Sequence, residues 1–422
     1  MKSSYDVIVV GGGTAGVPAA VQAARAGART LLVEKAGLLG GTITSGGINA
    51  PARFFVGDRQ IVAGIGWEIC CRVWRELGHD VPAPANYPDR QVPRHLGVDL
   101  AAYAAVCDAA VIESGCDLLL HTMPAAIEPQ GAGWSLTLCT KTGLRTLQAA
   151  VVVDCTGDAN VFELAGLATE TPAALQPATL VVGCSGYDAE GLDYPAIQKA
   201  FDAAVAAGTL EASDVGWKQG SVEFFLRSYG GNRIHINGVD GATSEGRTEA
   251  EVKGRAIMHR LTRFFRGLAG LENFRIDWLA PEAGIRETRV IVARQRIAVS
   301  DYEAGRLYDD AICYSHYPID IHEPTGIHGR PVPDDVLPTI PFGAMLPAEG
   351  ENIVAAGRCI AGDREANSSY RVEAPCMATG QAAGAAAALA AQRGCGVSEL
   401  PIAEIRKLLA ENGAIVPPAP PR

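Results

Sequence analysis

An α/β fold is predicted for this chain, a doubly wound parallel sheet with a mixed α+β domain inserted into it. Three observations predict it. A short apolar run, Asp6–Val10, passes into a glycine turn at Gly11–Gly16, then a small-residue helix, then a second apolar run at Thr30–Glu34. The same buried-strand signature returns at Ala149–Val153 and again at Asn352–Gly357. Between those two, from about Gly166 to Leu337, aromatic residues, histidines and interrupted strands replace the small-residue helices, which marks an insertion. The chain is therefore divided into a first domain made of 1–165 and 338–412, a second domain at 166–337, and a proline-rich end at 413–422 expected to be disordered.

Asp6–Val10 is too brief for a helix and reads as a buried parallel strand. In the helix from Val17 to Ala26, Pro18 is tolerable in the first turn and Gly27 supplies the stop. Strand, turn, helix and strand in about 30 residues form a right-handed βαβ unit. A helix is expected from Ile65 to Leu77, a loop from His79 to Pro93, a helix from Leu100 to Ser114 and a strand at Leu118–His121. Alternation in Trp134–Leu138 predicts an antiparallel excursion that turns at Thr142-Gly143. The helix from Ala374 to Gln392 is rich enough in Ala and Gly to pack closely on a sheet.

Composition narrows the function classes. The chain has 422 residues, enough for a well-buried interior and for an enzyme. Its 36 basic and 47 acidic residues give a net charge of −11, which disfavours nucleic acid as a partner. Eleven cysteines are scattered without zinc-finger spacing or a CxxC pair, so no metal site is expected, and most are taken as small core residues in a reducing cytoplasm. The apolar run Ala382–Ala391 is about half of the ~20 residues a membrane span needs, so no membrane partner is expected.

The strongest chemical signal is GxGxxG, filled by Gly11, Gly13 and Gly16 directly after one strand and opening one helix. Gly11 permits the tight turn, Gly13 lets backbone approach a pyrophosphate, and Gly16 lets the helix pack on the strand. Ala15 belongs to the same turn. Glu34, 18 residues past Gly16, ends the second strand where it can accept from an adenosine ribose, with Lys35 beside it. A 2′-phosphate would be repelled there, which disfavours NADP and leaves NAD or FAD. Two later stretches favour FAD. Gly362-Asp363 follows the strand at Ile353, and an acidic residue there suits a ribityl hydroxyl, which NAD lacks. The hydroxyl-rich loop Gly40–Gly47, with Gly41 and Thr42, can line the far end of an extended flavin dinucleotide.

Together with Cys155-Thr156-Gly157-Asp158, Arg286–Arg289, Pro318–His322, and Arg371-Val372 before Pro375-Cys376-Met377, these motifs resemble the FAD-dependent oxidoreductases related to succinate dehydrogenase and fumarate reductase flavoproteins. The resemblance implies a Rossmann-like FAD-binding domain, with Thr156 and Gly157 near the adenine half of FAD. It also implies that the helix starting near Ala374, with Cys376 and Met377, aims its N-terminus at the flavin ring, where positive potential favours the anionic reduced form. Where succinate dehydrogenase-like chains carry a flavin-linking histidine, this loop has Thr42, Ile43, Thr44 and Ser45, so FAD is expected to be non-covalent.

Candidate proton carriers lie in the middle domain. Alternation puts His235 on a polar face with Arg233 and Asn237, either a pocket wall or a solvated face. Tyr314, His316, Tyr317, Asp320 and His322 fall together, and Asp320 shares a face with His322, where it can tune an imidazole toward base work or simply tie a domain seam. Arg286 and Arg289, three apart on an expected helical turn, can clamp a carboxylate or hold Glu282 and Glu287 in ion pairs.

These residues lead to the expectation of hydride removal from a small-molecule CH–OH or CH–NH carbon to flavin N5, with His316 or His322 taking the proton. The alternatives are reduction of an activated C=C bond, an RNA-modifying flavoprotein, which the charge disfavours, and a non-catalytic FAD-binding scaffold.

Overall fold

The computed structural model describes residues 2–87, 91–216, 221–324 and 326–419. Five parallel strands run in the order Asp117–Leu119, Thr30–Val33, Ser4–Val10, Gly143–Asp154 and Ile353–Ala355. Val10 aligns with Val33 on one side and with Asp154 on the other, and Ala355 aligns with Asp154 as well. The strands therefore end together, and the turns leaving them gather at one edge, where open α/β sheets bind ligands.

Gly143–Asp154 belongs to two kinds of sheet. Its first half pairs antiparallel with Gly133–Thr140, which in turn pairs with Met123–Gln130. Its second half is parallel to Ser4–Val10. Burial follows pairing: residues 143–150 are mostly exposed, with Leu147 and Ala149 buried, and the run from Val151 to Asp154 is wholly buried. A strand with one wet face alternates, and a strand covered on both faces does not.

Helix Glu373–Arg393 lies against helix Gly16–Arg25 at two glycines one turn apart. A Cβ on Gly380 would come within 2.0 Å of the Ala15 carbonyl oxygen, and one on Gly384 within 2.1 Å of that of Ala19. Backbone approach this close needs the missing side chains.

The inserted body has its own antiparallel sheet, with Ala178–Ser185 between Gly230–Ile236 and Arg275–Leu279. Helix Ser244–Arg266, capped by the Thr243 hydroxyl, packs on it where Gly254 meets Leu180 and Ile236. Its apolar cluster runs only from Ala178 to Ile285. Apolar residues from Ile291 to Leu346 join the larger core. The two cores thus separate near 178 and 285 rather than at the expected 166 and 337, because Val290–Ile291 and the segments after it pack back on the first body.

The end of the chain also departs from expectation. Ala414, Ile415 and Val416 pack against the larger core, and Pro417 is buried, so the segment from 413 is anchored by apolar contact. Pro420, Pro421 and Arg422 lie outside the described residues. Among the described residues no helix is long and apolar enough to cross a membrane.

Candidate functional site

A cavity of about 400 Å³ opens at the carboxyl edge of the parallel sheet. Gly11, Gly13, Ala15, Glu34, Lys35, Gly41, Thr42, Thr156, Gly157 and Cys376 line it, so ten of the fourteen expected cofactor residues meet in one place.

The first turn is shaped by contact. Gly11 has φ +99, and a Cβ on Gly16 would lie 1.7 Å from its carbonyl oxygen. Gly16 therefore packs rather than lines. Gly13 is different: a Cβ there would meet only Gly41 Cα, at 3.6 Å, so the space beyond it belongs to the cavity. Thr14 Oγ1 is buried, has no hydrogen-bond partner and sits on a residue of the cavity wall. Helix Gly16–Arg25 has no acidic residue in its first turn. An orphaned hydroxyl, a helix N-terminus and open space at Gly13 suit a diphosphate.

Glu34 accepts from the Gly12 amide at 2.6 Å and the Ala36 amide at 2.7 Å, which fixes its carboxylate against the glycine turn. Each oxygen keeps a lone pair for a ribose hydroxyl. Lys35 forms an ion pair with Glu282 of the inserted body. Asp154, at the end of its strand, accepts from the Thr156 amide and hydroxyl and from the amides of Val161 and Phe162, which folds the Thr156-Gly157 turn. With these features the residues present fit FAD.

Four expected cofactor residues lie elsewhere. Asp363 accepts from the Ala366 amide at 2.8 Å and the Val299 amide at 2.6 Å, so it caps helix Arg364–Tyr370 and does not line the cavity. Gly362 packs on the Tyr370 hydroxyl and borders a separate cavity of about 170 Å³. Met377 is buried against Gly66. Gly16 is the packing residue described above. The wall holds residues the sequence did not single out as cofactor ligands, among them Asp158, Arg247, Arg358, Arg371 and Glu373. The one local signal for Glu373 was an acidic residue opening an Ala/Gly helix.

A buried polar cluster lies behind the cavity. His322 Nε2 donates to Asp320 at 3.1 Å. The His235 and His322 rings stack at 5.6 Å. His235 donates from Nδ1 to the Arg233 carbonyl at 2.8 Å, so its Nε2 is the acceptor facing Arg286 at 3.4 Å. Burial, then the neighbouring Arg286, pulls His235 down to about 2. Burial also takes His322 down to about 4 despite its bond to Asp320. Both imidazoles are neutral at pH 7. Three candidates far apart in sequence, His235, Arg286 and His322, are thus brought together.

Arg371 touches both regions. It lines the cavity, and it donates to the Asp320 carbonyl at 3.2 Å and to Gln176 at 3.3 Å. Tyr317 is largely buried; burial, then Asp320 and Glu373, pushes its hydroxyl up to about 12.

Two expectations fail here. His316 is fully buried, donates from Nε2 to the Pro333 carbonyl and faces Arg53 and Asp334, outside both cavity and cluster. Arg286 and Arg289 sit on irregular, non-helical chain and point apart. Arg286 donates to the Pro177 carbonyl and Thr179, whereas Arg289 donates to the Asp158 carbonyl and Asn160. They form no clamp, and Glu282 and Glu287 pair instead with Lys35 and Arg364.

Residues 6–409 match the family described as FAD dependent oxidoreductase. No curated protein matches the sequence. Among solved structures, a geranylgeranyl bacteriochlorophyll reductase-like protein from Thermoplasma acidophilum is similar at 14% identity and TM-score 0.48, covering 97% of this chain and 84% of that one. CabE, an aromatic hydroxylase from angucycline biosynthesis, is similar at 13% identity and TM-score 0.45, covering 97% and 65%. The p-nitrophenol 4-monooxygenase PnpA from Pseudomonas putida DLL-E4 is similar at 14% identity and TM-score 0.40, covering 97% and 84%.

Proposed function

Since the chain belongs to the family of FAD-dependent oxidoreductases, we propose that it oxidises a small molecule by removing hydride from a CH–OH or CH–NH carbon. When bound, FAD supplies the two-electron acceptor. The observation that carries this reading is Arg371, a cavity residue hydrogen-bonded to the strand that holds Asp320 and His322. A fixed cation therefore joins the cofactor cavity to a buried polar cluster.

The chain's own residues divide the work. The Gly11–Gly16 turn and Thr14 hold the diphosphate, Glu34 holds the adenosine ribose, and the Thr156-Gly157 turn closes the adenine side. Arg371 orients polar substrate atoms at the cavity wall. Asp320 keeps His322 in one tautomer and His322 stacks on His235, and the same strand accepts from Arg371 and so helps to fix it.

Anaerobic addition of polyols, hydroxy acids, amines and amino acids to the holoprotein tests the reading. Flavin bleaching by one of these classes is expected, and its rate of recovery in air separates an oxidase from a dehydrogenase. A protein bleached by none of them is not this enzyme.

Reduction of an activated C=C bond is a second reading, favoured by Arg371, a guanidinium on the cavity wall that suits the carbonyl or carboxylate activating such a bond. Reoxidation of the chemically reduced protein by an activated alkene, with no bleaching by alcohols or amines, is the result that selects it.

A further inference from the structure

Glu373 is the first residue of helix Glu373–Arg393 and lines the cavity, only 9% exposed. One of its carboxyl oxygens accepts from the Ala52 amide at 3.2 Å. The groups that face it come from several elements: Arg371 from the preceding turn, Cys376 from its own helix, Tyr317 from the segment after strand Ala311–Tyr314, and Cys70 and Tyr103 from helices Ile65–Glu76 and Leu100–Glu113. Burial raises Cys70, Cys376, Tyr103 and Tyr317, so all four are neutral at pH 7. Arg371 is the single cation among them.

Burial likewise pushes Glu373 up to about 7, against the pull of its own amide, the Ala52 amide and Arg371. A carboxyl in this setting exchanges its proton near neutral pH, the condition for effective acid–base work.

We propose that Glu373 is the proton acceptor of the redox step. The proposal rests on the oxidation read above. The substrate C–H bond breaks and its hydrogen leaves with the electron pair to the flavin. The O–H or N–H bond breaks as C=O or C=N forms, and that proton goes to the Glu373 carboxylate. Substrate loses two electrons, the flavin gains two, and Glu373 returns its proton to solvent when the flavin is oxidised again.

The test needs no substrate. The bound FAD of the holoprotein is titrated reductively with dithionite and a reference dye from about pH 6 to about pH 9, a range that brackets the Glu373 value of about 7. If Glu373 takes up a proton with the electron pair, the wild-type reduction equilibrium falls about a hundredfold per pH unit above about pH 8, where Glu373 starts ionised, one factor of ten for each of two protons. Glu373→Gln is expected to fall only about tenfold per pH unit. A tenfold slope in the wild type, or a hundredfold slope retained in E373Q, overturns the proposal. Should E373Q lose its flavin, Glu373→Asp keeps a carboxyl one methylene shorter. It is expected to move the pH at which the slope changes, and an unmoved break overturns the assignment. A negative result here leaves the oxidation itself to be judged by the bleaching panel.

Discussion

Arg358 donates to Asp158 at 2.6 Å across 200 residues of sequence. The same guanidinium donates to the carbonyls of Gly157 and Ile285, and Asp158 also accepts from Arg247 at 2.7 Å and from the Thr288 hydroxyl at 2.9 Å. One ion pair thus ties the turn after a sheet strand, the inserted body and the returning chain together at the cavity wall.

Asp158→Asn is therefore expected to lower stability by about 3 to 5 kcal/mol, the cost of removing one partner from a buried pair. Burial pushes the Asp158 carboxyl up, but Arg358, Arg247 and Thr288 together hold it below the usual aspartate range. Its contribution is complete above the ordinary carboxylate pKa and is lost as pH falls toward the lower folded value. Melts from pH 6 to 3 are expected to fall more steeply in the wild type than in D158N. Parallel curves would show that the pair adds nothing.

Gly13→Val is expected to fold with a near-normal melt, since its side chain enters cavity space, yet to weaken FAD binding by more than about 100-fold, on the order of 3 kcal/mol. Gly16→Ala is expected to do the opposite kind of damage. Its methyl strikes the Gly11 carbonyl and costs on the order of 1 to 3 kcal/mol of fold stability. A flavin-replete G13V would displace the diphosphate from this turn.

FAD is expected in the supernatant after acid precipitation of the holoprotein. No histidine lines the cavity among the described residues, and Thr42, Ser45 and Gly46 stand in the loop segment of its wall. Yellow colour retained in the pellet would require a covalent link.

His235 and His322 are buried neutral, with folded values of about 2 and about 4. In the unfolded chain both take protons as pH falls through about 6.5, so stability drops below that pH by about 1.4 kcal/mol per unit for each histidine, until His322 itself protonates. Replacing either by Asn is expected to flatten the melt between pH 6.5 and 4. His322→Asn and His316→Asn are expected to cost about 1 to 3 kcal/mol each while leaving flavin reduction within about tenfold of wild type. A loss of ~10²- to 10⁴-fold in either would make that histidine the general base instead.

The phosphate turn was legible in the sequence because its determinants are local: Gly11, Gly13 and Gly16 act within one strand-to-helix junction. Asp320 and His322 were legible for the same reason, sharing one strand face. Asp363 was misread because a Gly-Asp pair after a strand has two uses. The sequence Asp363-Arg364-Glu365 that opens a helix is the signal for the capping use found here. The stacking of His235 on His322 depends on how two bodies dock, and the meeting of Arg371 with Asp320 depends on how distant segments of one body pack, which no local pattern encodes. Glu373 escaped notice because its chemistry comes from burial beneath helices 65–76 and 100–113, a property of packing alone.

The two glycine contacts between helices Gly16–Arg25 and Glu373–Arg393 also bear on the timing of maturation. During synthesis the phosphate turn emerges first, yet strand Ile353–Ala355 stays absent from the sheet, and the helix after the turn stays uncovered by helix Glu373–Arg393, until most of the chain has followed Gly16. The inserted body, closed between Ala178 and Ile285, carries no such debt and can complete its core while the first body waits. Flavin capture accordingly waits until the chain is nearly complete, and a nascent chain with about 300 residues already outside the ribosome would hold a folded insert beside an unfinished cradle.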